Sequence, residues 1–209
     1  MHSPGDATSP TLLSRVRDPG DTAAWEAFES RYRTLLVRFC QRQGLQHADA
    51  EDVAQAVLTG LVKSLPRFVY DPQRGRFRDY LYRIARHTLI AWRRRAARPP
   101  DGQVPLDSRV GDALADDEDG RPDTQAEHAW QEEWVAHHFR LAMQVVRETF
   151  EPQSVEVFNR SVRGEPLASV AATLGISEEA AKKARQRIKA RLEELIARQV
   201  AEEDEAGDR

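Results

Sequence analysis

A chain of 209 residues with a net charge of -3, 40% apolar and 31% charged side chains favours small helical domains over one thick core. Cys40 is the only cysteine, which excludes an intramolecular disulfide and fits a reducing compartment. No run approaches the roughly 18 apolar residues of a membrane span and Met1 to Pro10 holds no apolar signal segment, so a cytoplasmic protein without membrane contact is expected.

Leu, Ala, Arg and Glu dominate and period-two Val/Ile/Thr runs are missing, so the predicted class is all-α. Residues 1–20 read as a flexible N-terminus. Asp21 caps a helix whose apolar positions Trp25, Phe28, Tyr32, Leu35, Leu36 and Phe39 recur at three- and four-residue steps, and Gly44 ends it. Asp49 opens a second helix, with Glu51 and Asp52 in the first turn where the helix dipole favours acids. Its predicted buried stripe is Val53, Val57, Leu58, Leu61, Val62 and Leu65, and Pro66 stops it. A third helix spans about Phe77 to Arg95, with Phe77, Tyr80, Leu81, Ile84, Thr88 and Leu89 as one face. Together these helices make a predicted domain over 21–98, ended by Pro99-Pro100.

From Asp101 to Glu133 there are eleven acids against Arg109 and Arg121. The span 99–125, rich in Pro, Gly and Asp, reads as a flexible acidic linker. A second domain is expected over 126–199. Trp130, Trp134, Leu141, Val145 and Val146 mark its first helix, and Val155, Phe158 and Val162 a short second one ended by Gly164. Pro166 fits the first position of a third helix, carrying Leu167, Val170, Ala171 and Leu174. Gly175 makes the turn, Ser177 caps a long basic helix to about Gln199, and 200–209 reads as an acidic, disordered tail.

Positive charge is concentrated on two elements of an otherwise acidic chain. Nine arginines lie between Arg74 and Arg98 with Asp79 the single acid, and Phe77, Tyr80, Tyr82, His87 and Trp92 are interleaved with them. A solvated helix face would also be charged, but one sign alone repels itself unless an anion compensates. Cations beside stacking groups suit nucleic acid, unpaired bases included. The second element is a helix-turn-helix: Ala171 is the small residue at the crossing, Gly175 takes the left-handed turn, and Ile176 plugs the core. Its second helix exposes Lys182, Lys183, Arg185, Gln186, Arg187 and Lys189, a mixture suited to phosphates and base edges. The bland alternative is a helical hairpin with a solvated face.

The phrases Asp49-Ala50-Glu51-Asp52-Val53-Ala54-Gln55 and Gly75-Arg76-Phe77-Arg78-Asp79-Tyr80-Leu81-Tyr82-Arg83-Ile84-Ala85-Arg86 resemble the core-binding and promoter-melting regions of bacterial sigma factors. Followed by a bare linker and a C-terminal helix-turn-helix, the layout is similar to the extracytoplasmic-function (ECF) group. The likeness covers roughly 20–97 and 126–198. It implies that Asp49, Glu51, Asp52 and Gln55 dock on core RNA polymerase. It implies that Arg76, Tyr80, Arg83, Arg86, His87, Trp92, Arg93 and Arg94 grip and open the minus-ten promoter element. The helix from Ser177 would read the upstream, minus thirty-five element through Glu179, Lys182, Lys183, Arg185, Gln186, Arg187, Lys189 and Arg191. Where the family often has Asn and then, four residues on, Asp in the melting helix, this chain has His87 and Ala91. The resemblance implies promoter DNA and core polymerase as partners, with an anti-sigma factor or a kinase as regulator, no cofactor and no catalytic residue of its own.

Two other readings compete with a sigma factor. A stand-alone helix-turn-helix regulator would bind promoter DNA without polymerase. A sequestering protein would capture a basic partner through its acidic surfaces and show no promoter preference. His137-His138 point to different sides of a helix, so no metal site is expected, and no Gly-rich phosphate loop or nucleophile elbow is present. Cys40 and the Trp130/Trp134 pair read as packed core.

Overall fold

Asp21 accepts a hydrogen bond from the Ala24 amide at 2.9 Å, so the capping expected from sequence opens the long second helix of the molecule. The computed structural model describes residues 11–65, 76–97 and 124–205, with side chains through Glu203. Among these residues every regular element is an α-helix: α1 (Leu12–Arg15), α2 (Thr22–Arg42), α3 (His47–Ser64), α4 (Phe77–Ala96), α5 (Thr124–Thr149), α6 (Pro152–Val162), α7 (Leu167–Leu174) and α8 (Glu178–Glu205). The fold is all-α. The greater part of the expected acidic linker, residues 99–123, lies outside the described residues, as do Pro66 and Arg74. Contacts divide the chain into two compact units, one up to Trp134 and again from Glu202, the other from Val135 to Ala201.

In the first unit α2, α3 and α4 share one core. Phe28, Tyr32, Leu35 and Phe39 of α2 meet Val53, Val57 and Leu61 of α3 and Phe77, Leu81 and Ile84 of α4, all buried. Rings lock the unit together: Phe28–Phe77 at 6.1 Å and Phe39–Trp130 at 5.1 Å both pack edge to face, and Tyr32–Trp134 stacks at 6.3 Å. Such pairs contribute about 0.5–1.5 kcal/mol each beyond the area they bury. Trp130 and Trp134 are therefore core residues, but of the first unit, and the unit boundary falls inside α5 rather than at residue 126.

Several details depart from the sequence expectations. The expected flexible stretch 1–20 contains α1, whose Leu13, with Val16 just beyond it, enters the core. Arg15 binds Asp21 through both Nε and Nη2 at 2.9 Å, which ties α1 to the start of α2. Helix α3 begins at His47, before Asp49, and Val62 is 39% exposed, because on the helix wheel it lies about 40° past Leu58, just beyond the edge of the buried arc. The acidic tail is helical through Glu205, and Glu203 is buried. Its carboxylate accepts from the Tyr32 hydroxyl at 2.6 Å with Arg31 at 3.7 Å, so burial of this acid is compensated. Burial, and then the Glu203 charge, push the Tyr32 phenol well above its ordinary range, which keeps its proton available for that bond.

The second unit has two smaller aliphatic clusters. Ala142, Met143 and Val146 of α5 pack with Val155 and Phe158 of α6 and Ile188, Leu192 and Leu195 of α8. Val157, Val170, Ala171 and Ala181 form the other, with Leu174 and Ile176 against it. Gly175 at φ 66° takes the left-handed conformation that ends α7, and the Ile176 amide returns to the Ala171 carbonyl at 3.1 Å. Ser177 Oγ accepts from the Ala180 amide at 3.1 Å and starts α8. Pro166 caps α7 instead of occupying its first position.

Candidate partner and nucleic-acid interfaces

Helix α3 buries Ala50, Val53, Ala54 and Val57, which turns Asp49, Glu51, Asp52 and Gln55 toward its other side. These residues are not equivalent. Arg33 on α2 donates from Nη1 to Glu51 Oε2 at 2.8 Å and from Nη2 to Gln55 Oε1, and it also holds Glu29. His47 Nε2 lies 4.0 Å from Glu51 Oε1. Asp49 and Asp52 make no hydrogen bond or ion pair among the described residues, and Asp52 is exposed. Sequence reasoning assigned Arg33 no role. Its one legible sign is the four-residue step from Glu29, which helical pairing favours. The hydrogen bond to Glu29, ahead of that to Glu51, raises the Arg33 pKa above its already high value, so the guanidinium stays charged.

On α4 the expected residues divide. Arg76, Arg83, His87 and Arg94 follow one another at steps of seven, four and seven residues, a stripe along one side of the helix. Arg76, Arg83 and Arg94 are exposed and His87 is half-buried. Arg86 is half-buried beside the stripe, and Trp92 packs against the core with part of its ring outside. Tyr80 is only 5% exposed, and its hydroxyl donates to Ser64 Oγ at 2.9 Å. Burial raises its pKa. It is a core residue and offers no stacking face. Arg93 Nη2 donates to the Gln43 carbonyl at 2.5 Å and so caps the C-terminal end of α2. Beside the first turns of α4 an open cavity of about 570 Å³ lies against the start of α5, lined by Arg78, Tyr82, Arg83, Glu127, His128 and Trp130 among others. It mixes both signs of charge.

On α8 Ala181, Ile188, Leu192 and Leu195 face inward. The wheel position opposite them holds Glu179, Lys183, Gln186 and Ala190, with Lys182 at its edge, all exposed. Lys182, Arg185 and Gln186 make no hydrogen bond or ion pair among the described residues. Lys183 lies 3.3 Å from Glu179, an exposed pairing that water and salt weaken. The flanking cations are more engaged. The Arg187 guanidinium sits 5.6 Å over the Phe150 ring, and Arg191 binds Glu194 at 2.7 Å. Lys189 is 3.7 Å from Glu193. Ser177 serves as the cap.

No group of three or more His, Cys, Asp or Glu side chains among the described residues is arranged to hold a metal ion. No described helix is long and apolar enough to cross a membrane. Comparison with curated proteins gives no match. Among solved structures the chain is similar to one described as CnrH in complex with the cytosolic domain of CnrY, at 20% identity and a TM-score of 0.34, over 89% of this chain and 95% of that one. A score of that size supports no assignment. Residues 29–99, which run from within α2 to just past α4, match the family described as Sigma-70 region 2. Over that stretch, about a third of its length, the chain is similar to sigma-70 region 2.

Proposed function

We propose that the chain is a sigma factor of the ECF kind, which recruits core RNA polymerase to a set of promoters and helps open them. The observation that carries this reading is the region 2 match over 29–99, the same helices that expose the acids of α3 and the cationic stripe of α4. The helix-turn-helix around Gly175 supplies the second DNA contact, and the 26 residues between the described parts of α4 and α5, 98–123, leave no room for a further domain.

In this reading Asp49 and Asp52 meet cationic groups on the polymerase, and opposite charge speeds assembly. Arg76, Arg83, Arg86, His87 and Arg94 hold the phosphates of the minus-ten element, and the half-exposed Trp92 edge gives an unpaired base a surface to rest on. The exposed face of α8 around Lys183 and Gln186 enters the major groove of the upstream element, and its flanking cations grip phosphate. The polymerase performs nucleotidyl transfer; this chain supplies position and strand opening.

Run-off transcription with purified core polymerase and genomic promoter fragments tests the proposal. Promoter-specific transcripts are expected only when both are present, and Asp52→Lys should abolish them while leaving the fold intact. Tight promoter binding by the chain alone, unchanged by added polymerase, would instead establish a stand-alone regulator.

A further inference from the structure

Within the acidic face of α3, two acids are unengaged and two neighbouring groups are held by one arginine on another helix. Arg33 reaches Glu29 Oε1 from Nε at 3.1 Å, Glu51 Oε2 from Nη1 at 2.8 Å and Gln55 Oε1 from Nη2. The guanidinium fork is what lets one side chain hold three acceptors in fixed directions; an ammonium has no such geometry. At this half-exposed position, a network through a planar fork resists solvent screening better than an isolated pair.

We infer that Arg33 is a positioning residue of the docking face, which fixes how Glu51 and Gln55 are presented to the polymerase. The inference rests on the sigma-factor reading of α3. With its carbonyl oxygen engaged by Arg33, Gln55 is left with its amide N–H groups to offer outward. Glu51 is left with Oε1, near His47. The face therefore displays two unengaged carboxylates, Asp49 and Asp52, one oriented carboxylate oxygen and one hydrogen-bond donor. This chemistry fits a polymerase surface carrying cationic groups beside a hydrogen-bond acceptor. A face acting through charge alone would bind better without Arg33, because removing a cation makes it more negative. A face acting through orientation would bind worse. The two accounts predict opposite signs.

The test titrates fluorescently labelled full-length chain with core RNA polymerase, comparing the parent with Arg33→Ala, Arg33→Lys and Asp52→Lys, and each variant's unfolding in urea confirms that it is folded. Arg33→Ala should weaken association about tenfold, the usual effect of losing one hydrogen bond to a charged group, despite the added negative charge. Arg33→Lys should not restore it. Placed on a Glu51→Ala/Gln55→Ala background, Arg33→Ala should weaken association no further, a coupling that a merely structural role would not show. Association that is unchanged or tighter in Arg33→Ala, with Asp52→Lys still impaired, overturns the positioning role and leaves the docking face standing. Normal association of Asp52→Lys removes the docking face and this inference with it.

Discussion

Helices α4 and α8 are both rich in cations, yet they divide their residues differently. Helix α4 buries Phe77, Tyr80, Leu81, Ile84, Ala85, Thr88 and Leu89, a wide stripe against α2 and α3. About half of its circumference remains, and one of the arginines there, Arg93, is used to cap α2. Over the turns that carry its cations, Lys182 to Arg191, α8 buries only Ile188, so exposed Lys and Gln cover most of its surface. Similar composition therefore yields a helix whose charges share space with a core and another whose charges are almost all on display. The first is constrained in what it can expose; the second is free to vary its exposed residues at little cost to the fold.

The largest expected effect strikes α4. Ile84→Ala removes a side chain only 1% exposed and should cost about 2–5 kcal/mol in urea unfolding, whereas Lys183→Ala on α8 should change stability by less than about 0.5 kcal/mol. Equal costs would break the contrast. On α8 the loss should appear in DNA binding instead. Gln186→Ala and Lys183→Ala should each lose about 1–3 kcal/mol on the correct upstream element and less on altered ones. Arg191→Ala should weaken all sequences alike and flatten the salt slope by about one counterion. The measurement is a salt titration of the reconstituted holoenzyme on matched promoter variants. If Arg191→Ala altered sequence preference and Gln186→Ala only the salt slope, α8 would dock on another face.

Tyr80→Phe sharpens the comparison from the other side. It keeps the ring and removes the bond to Ser64, so it should reduce stability by about 0.5–1.5 kcal/mol and leave promoter opening, followed by permanganate footprinting, unchanged. A specific opening defect would give Tyr80 the DNA-contacting role proposed for its neighbours.

The smallest effects concern one exposed clasp in each unit. The hydrogen bond from Arg15 holds the Asp21 carboxyl below its ordinary 3.8, and that from Arg160 holds Glu165 below 4.5. A depressed carboxyl binds its proton less readily folded than unfolded. Each clasp therefore stabilises the fold above the ordinary value, and the contribution is lost as pH falls through the lower, folded value. Carbon-detected NMR titration should find both midpoints below those ordinary values, and high salt should shrink the displacement. Midpoints at or above them would show the clasps open in solution.

Residue order alone determined most of the helices and the all-α class. Asp21 as cap, the three- and four-residue steps of α2 and α4 and the left-handed Gly175 are local features, settled within a few residues of backbone. The charge of the candidate surfaces was legible too, because acids on α3 and cations on α4 and α8 sit opposite apolar stripes that periodicity reveals. Only the tertiary structure decided which polar residues are available. Arg33 holds Glu51 and Gln55 through contacts 18 and 22 residues apart, Arg93 caps a helix 50 residues away, and Glu203 finds Tyr32 across 171 residues. Helix periodicity says on which side of its own axis a residue lies. It does not say which helix comes to rest against that side, and burial and hydrogen bonding depend on that neighbour.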